Sequence, residues 1–163
     1  MIHQQIVTLK HGRVGVISDT HGLMRPEALA ALKDSELIIH AGDIGKVDVL
    51  ESLRRIAPVL AIRGNNDRES WAKGMADVLN LQVNGFKLQV IHNVHEIEDD
   101  PMEDEISVVI SGHSHQPNVA KRDDILFVNP GSAGPRRFKL PVSLARINLA
   151  EKPLQAAIVE LKI

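Results

Sequence analysis

Apolar residues fall along this chain in short, β-branched runs, and most of the runs stop abruptly at polar residues. Val14-Gly15-Val16-Ile17, Leu37-Ile38-Ile39 and Val59-Leu60-Ala61-Ile62 are too short for helices and read as buried strands. Between them the period changes. Pro26-Glu27-Ala28-Leu29-Ala30-Ala31-Leu32 predicts a helix with proline at its first position. Val47, Leu50, Leu53 and Ile56 recur at helical intervals, and Pro58 closes that segment. Strand, helix, strand, helix, strand is the pattern of right-handed parallel crossovers.

The second half has a different rhythm. Val78–Val83 and Phe86–Ile91 flank Asn84-Gly85, a strong hairpin signal. Residues 106–110 and 125–128 predict further strands. Residues 142–149 and 154–161, with Glu151-Lys152-Pro153 between them, predict a mostly antiparallel end. Near the start, Ile6-Val7-Thr8-Leu9 adds an edge strand, or the segment is mobile. From 96 to 105, seven of ten residues are acidic, with Pro101 in the middle. That run predicts a solvated connection or short exposed helix rather than a cation site. With no internal repeat or low-complexity linker, one domain over 1–163 is expected, residues 1–12 being an extension or edge strand.

The polar residues that stop the strands carry the chemistry. They are Asp19-Thr20-His21, Gly42-Asp43, Gly64-Asn65-Asn66-Asp67, His92 and Gly112-His113-Ser114-His115. Ligands of open α/β sheets gather at strand carboxyl ends. Asp19 and His21 would both project there if the chain stays extended through Thr20. Each piece alone has a plain explanation, because glycine, asparagine and aspartate are ordinary turn formers. Five such endings together point to oxygen and nitrogen donors around a divalent transition metal.

Composition then narrows the field. The chain has no cysteine, which excludes thiolate sites and disulfides. Lys plus Arg is 19 against 21 for Asp plus Glu, and a net charge of −2 argues against a general nucleic-acid surface. No apolar run nears the roughly 20 residues of a membrane span, and residues 1–12 lack a signal-peptide pattern. A soluble cytoplasmic α/β protein is expected.

In order and spacing these motifs, with Asn129-Pro130-Gly131-Ser132, resemble the calcineurin-like metallophosphoesterase superfamily, in its small bacterial and archaeal phosphodiesterase branch. The resemblance runs from residue 14 to about 132. It implies a four-layer α/β/β/α sandwich, two mixed sheets face to face with helices outside. It also implies two divalent metal ions. Asp19, His21 and His115 would hold one; Asn65, His92 and His113 would hold the other; Asp43 would bridge them. Manganese is favoured, with nickel, iron, cobalt or zinc as alternatives. Asp67 is expected behind the ligands.

The implied activity is hydrolysis of a small-molecule phosphoester by a metal-bridging hydroxide, a diester before a monoester. The alternatives are a phosphomonoesterase on a nucleotide or sugar phosphate, and a non-catalytic interaction scaffold like the retromer subunit that shares the fold. Two positions depart from the family pattern. Asn66 stands where many relatives carry a histidine that serves as leaving-group acid, or a cysteine in the small branch. Asn93 follows His92 where glycine is common. Asn66 and Asn93 are therefore expected to touch phosphate or to support the ligands. His95 is the nearest spare imidazole, expected to face away from His92 on an extended strand.

Overall fold

A computed structural model describes residues 1–150 and 152–163; Glu151, in the connection read between the last two strands, lies outside the described residues. Eleven strands are described: β1 (Ile2–Val7), β2 (Arg13–Ile17), β3 (Leu37–His40), β4 (Val59–Ala61), β5 (Val78–Val83), β6 (Phe86–Ile91), β7 (Val108–Ile110), β8 (Asn118–Arg122), β9 (Ile125–Asn129), β10 (Ser143–Asn148) and β11 (Gln155–Glu160). Two helices, α1 (Pro26–Leu32) and α2 (Val47–Arg54), fill the first two crossovers.

The strands form two mixed sheets. One has the order β11-β10-β2-β3-β4, with β2, β3 and β4 parallel. The other has the order β1-β5-β6-β7-β9-β8, with β6, β7 and β9 parallel. Period-two alternation explains how they pack. Val14 and Val16 of β2 and Leu37 and Ile39 of β3 point between the sheets, against Leu79, Leu81, Leu88, Val90, Val108 and Ile110. Ile17 and Ile38 point the other way, under Leu32 of α1 and Val49, Leu50 and Leu53 of α2. Gly15 makes that second contact close. A Cβ there would lie 2.5 Å from a Leu32 methyl and 2.6 Å from Ser35 Oγ.

The fourth layer is thin. Ile91, Val109 and Ile125 on the outer face of the six-stranded sheet are covered by Val94, Ile97 and Ile106, which lie on a 3-10 turn (Val94–Glu96) and the loop after it. The acidic run occupies that loop as exposed turns, with only Ile97 and Pro101 half-buried.

Two strands differ from the sequence reading. β1 begins at Ile2, well before Ile6, and pairs in parallel with β5 from Ile2 opposite Val78 to Val7 opposite Val83. β8 was not expected at all. Its residues Asn-Val-Ala-Lys-Arg alternate poorly, but it joins β9 through Asp123-Asp124, both at positive φ (52° and 63°). Aspartate pairs suit such a two-residue turn, and that was the available signal.

Candidate metal centre

The carboxyl ends of β2, β3, β4, β6 and β7 carry the candidate residues to one edge of the sandwich. The chain does not stay extended there. Asp19 (φ 55°), His21 (45°), Asp43 (54°), His113 (70°) and His115 (61°) all adopt left-handed backbone. This overturns the extended path through Thr20. Thr20 is buried and points inward, donating from Oγ1 to Ile44 O at 2.9 Å. Left-handed residues on both sides of it turn Asp19 and His21 toward a common point. Such conformations cost on the order of 1 kcal/mol each and persist where surrounding contacts impose them.

Those contacts are dense around the two aspartates. Asp19 Oδ2 accepts from Ser18 Oγ at 2.7 Å and from the His113 amide at 3.1 Å, and its other oxygen, Oδ1, has no hydrogen-bond partner. Asp43 Oδ1 accepts from the Asn66 amide at 2.9 Å, and Oδ2 from Asn66 Nδ2 at 3.0 Å. The loop carrying Asn66 presses close, since a Cβ on Gly64 would lie 2.2 Å from Asp43 Oδ1. Asp67 accepts backbone N–H groups from Ile44, Gly45 and Gly64 at 2.9–3.0 Å, so it clasps the β3 and β4 turns together.

The imidazoles converge on Asp19 Oδ1 and Asp43 Oδ2. His115 Nε2 lies 3.3 Å from Asp19 Oδ1 and 3.4 Å from His21 Nε2. His21 Nε2 lies 3.9 Å from Asp19 Oδ1 and 3.8 Å from Asp43 Oδ2. His92 Nε2 lies 3.2 Å from Asp43 Oδ2 and 3.9 Å from Asp19 Oδ1. Two overlapping groups result, Asp19-His21-His115 and Asp19-Asp43-His92, each with ligand-type atoms within 4.8 Å of one another. His113 stands outside these groups, and Asn65 lines the cleft beside them. The His113 ring packs edge-on against His92 at 5.2 Å between centroids, and both residues line the cleft beside it.

The donor chemistry fits a cation. His92 Nδ1 donates to Ala41 O at 2.7 Å, which turns the lone pair of Nε2 toward two carboxylates. Asp19 Oδ1, His92 Nε2 and His115 Nδ1 are buried without a hydrogen-bond partner. Buried polar atoms left this way are costly unless a proton or metal ion sits between them. The titration behaviour has the same origin. Burial opposes ionisation of Asp43, yet His92 and the two Asn66 donors outweigh it and hold the carboxyl far below its usual range. Burial likewise opposes ionisation of Asp19 but is overcome by His115, His92 and Ser18, so its pKa is also lowered. Burial disfavours the His92 cation, but Asp43, the Ala41 carbonyl and Asp19 raise its pKa.

Other candidates take different places. Asn93 Oδ1 caps the 3-10 turn by accepting from the His95 amide at 3.1 Å. His95 is on that turn rather than on an extended strand, exposed beside a cavity of about 400 Å³ that it shares with Asn93 and His113.

Several supporting residues were missed in the sequence. His40 is fully buried; its Nδ1 accepts from the Gly42 amide at 3.2 Å and its Nε2 meets Thr20 Oγ1 at 2.9 Å. Burial pushes its pKa down to about 4, with Asp19 pulling the other way, so the ring is neutral. Asn129 Nδ2 donates to Gly112 O at 2.9 Å, and Ser132 Oγ donates to Asp19 O at 3.0 Å. The Asn-Pro-Gly-Ser motif therefore ties the His113 loop to the Asp19 turn. Only its place in the family pattern had marked it.

Residues 13–152 match the model of the calcineurin-like phosphoesterase superfamily domain. The chain belongs to this superfamily. A probable metallophosphoesterase of Methanothermobacter thermautotrophicus is 36% identical over 148 residues, 83% of this chain and 86% of that protein. A phosphodiesterase of Methanocaldococcus jannaschii is 28% identical over 137 residues, 73% of this chain and 82% of its own length. Among solved structures, Vps29 of Entamoeba histolytica in complex with zinc superposes with a TM-score of 0.67 at 19% identity, covering 92% of this chain and 99% of that one. The last likeness is one of fold. The two mixed sheets described above are the calcineurin-like architecture.

Proposed function

We propose that this chain is a metal-dependent phosphodiesterase with a dinuclear centre. Asp19, His21 and His115 would hold one ion, Asn65, His92 and His113 the other, and Asp43 would be shared. The observation that carries this is the pair Asp19 Oδ1 and His92 Nε2, buried without hydrogen-bond partners 3.9 Å apart, with His115 Nε2 3.3 Å from the same oxygen. When bound, two divalent ions would supply positive charge for phosphoryl oxygens and a water of lowered pKa. The chain's own part is to fix ligand geometry in advance. Ser18 and the His113 amide leave Asp19 one free oxygen, and Asn66 sets the plane of Asp43.

A diester fits the surroundings. The cleft lined by Asn65, His92 and His113 is about 580 Å³, and the cavity of about 400 Å³ shares Asn93 and His113 with it. A phosphorus atom near His113 would therefore have room for an ester group on each side. The relative named as a phosphodiesterase supports the same reading.

Metal counting on the purified protein, with hydrolysis of bis-p-nitrophenyl phosphate under added manganese or nickel, tests it. Two metals per chain and chelator-sensitive turnover, faster than with p-nitrophenyl phosphate, are expected. No turnover with any metal would turn the reading to the interaction scaffold.

A further inference from the structure

Phe138 has no packing role and an unfavourable backbone, and it stands on a loop rooted in the metal-site turn. It is 90% exposed. Its φ is 53°, in the left-handed region that a bulky aromatic residue avoids. It opens a tight turn closed by the Leu140 amide donating to Arg137 O at 3.1 Å, a position for which glycine would be the relaxed choice. The other large aromatics have partners. Phe127 lies under the Arg122 guanidinium, Phe86 packs against the inter-sheet core, and Trp71 packs on the outer layer with α2.

The loop is basic and short of reach. Arg136, Arg137 and Lys139 flank Phe138, all exposed. Its root is fixed to the Asp19 turn by Ala133 N–H to Ser18 O (3.1 Å), Ser132 Oγ to Asp19 O, and Arg25 Nε to Gly134 O (3.1 Å). Gly134 lies so close that a Cβ would sit 2.2 Å from Thr20 O. Phe138 is four steps along the chain from Gly134, so its Cα lies within about 14 Å of the Gly134 Cα. The cleft beside Asn65 and His92 is instead lined by Glu96, Glu98 and Asp99, so the basic residues of the loop are the more favourable surroundings for further phosphates.

We infer that the loop 135–140 is a nucleotide-recognition element, in which Phe138 stacks on the base of a nucleotide phosphodiester while Arg136, Arg137 and Lys139 receive its further phosphates. This rests on the phosphodiesterase reading and names its substrate class. Stacking suits an exposed ring of this kind, because every base presents a π-face and guanidinium groups beside it add charge.

The test uses two substrates with one leaving group, methyl p-nitrophenyl phosphate and the p-nitrophenyl ester of thymidine 5′-monophosphate, on metal-loaded protein. Wild type should favour the nucleoside ester in kcat/KM by about fivefold or more, the range of one stacked base. Phe138→Gly should erase that preference, leave the methyl ester within twofold, and keep or raise Tm because it relaxes the turn. Phe138→Trp should retain the preference. A parallel titration with a phosphorothioate-linked dinucleotide reads binding without turnover, and Phe138→Gly should weaken its Kd by a similar factor. Arg136→Ala with Arg137→Ala should weaken a 5′-phosphorylated dinucleotide more than an unphosphorylated one. Absence of any preference in wild type, equal loss on both esters, a lowered Tm in Phe138→Gly, or an unchanged dinucleotide Kd would each overturn the inference. If neither ester turns over, the phosphodiesterase reading fails, and the dinucleotide titration still decides the role of the loop.

Discussion

The two sheets meet at the candidate centre on unequal terms. The five-stranded sheet brings Asp19, His21, Asp43 and Asn65; the six-stranded sheet brings His92, His113 and His115. On the first side both carboxylates are oriented by donors, and Asp67 joins the turns after β3 and β4 through three backbone bonds. On the second side His92 has one orienting bond, to a carbonyl that belongs to the first side, and His115 Nδ1 has none. The carboxylate half is therefore built before any ion arrives, whereas the imidazole half has fewer constraints of its own. Removing parts of the first half should damage fold and site together. Removing parts of the second should damage the site alone.

The sharpest break is Asp43→Asn. Asp43 is the carboxylate proposed to be shared, with Oδ2 3.8 Å from His21 Nε2 and 3.2 Å from His92 Nε2, and should be needed for both ions. We expect activity to fall by about 10³-fold or more, roughly 4 kcal/mol in barrier, with both metals weakened together. His21→Ala should weaken chiefly one ion and His113→Ala the other. Metal stoichiometry by elemental analysis decides it; two tightly held metals in Asp43→Asn would exclude a shared carboxylate.

Next in size is the contrast between Asp67→Ala and Asn129→Ala. The first leaves three backbone N–H groups without their acceptor and should cost about 3–5 kcal/mol of stability at roughly 1–3 per orphaned group, allowing for relaxation. The second loosens the His113 loop and leaves the Gly131 amide without its acceptor, and should cost about 1–2 kcal/mol, while lowering metal affinity about 10–100-fold. Denaturant unfolding of the metal-free variants, beside metal titration of the folded ones, separates the two. Equal stability losses would erase the asymmetry.

His40 gives the same half a pH signature. Burial lowers its folded pKa to about 4 from the ordinary histidine value of 6.5. The unfolded chain therefore binds a proton that the folded chain refuses between those values, and folding weakens as pH falls. The stabilisation is fully present above pH 6.5 and lost progressively toward pH 4, up to about 3 kcal/mol over that window. His40→Gln in chelator should flatten the slope of unfolding free energy against pH in that interval. An unchanged slope would mean that other groups dominate it.

What could be read in advance follows from the same difference. Strand-end motifs such as Gly42-Asp43 and Gly112-His113-Ser114-His115 announce ligands because residue type and position suffice to mark them. The β2–α1–β3–α2–β4 crossovers follow from apolar period. Left-handed backbone at Asp19 and His21 was hidden, since nothing local demands it; the buried Thr20, anchored to Ile44 in the turn after the neighbouring strand, goes with it. His40 was hidden for a similar reason, as a histidine ending an apolar strand looks like many others until Thr20 and Gly42 are seen around it. β8 escaped because an edge strand with one half-exposed face has weak alternation. Asp67 and Asn66 were placed near the ligands, but their partners are set by tertiary contact.

The acidic loop should have the smallest effect, and its sign is informative. Glu98 and Asp99 line the cleft on the six-stranded side, and Asp100 follows them in the exposed loop. None belongs to the two converging groups of ligand-type atoms. Neutralising Glu98, Asp99 and Asp100 together, as Gln, Asn and Asn, should leave metal stoichiometry intact. An anionic diester approaching this side meets like charge, so the variant should gain kcat/KM, by less than about tenfold or 1.4 kcal/mol. Exposed charges are screened over about 10 Å at 0.1 M salt and about 3 Å at 1 M. The gain should therefore shrink as salt is raised, with kcat changing less than KM. Loss of a bound metal would instead make these residues part of the centre, and the asymmetry between the two sheets would have to be redrawn with carboxylates on both sides.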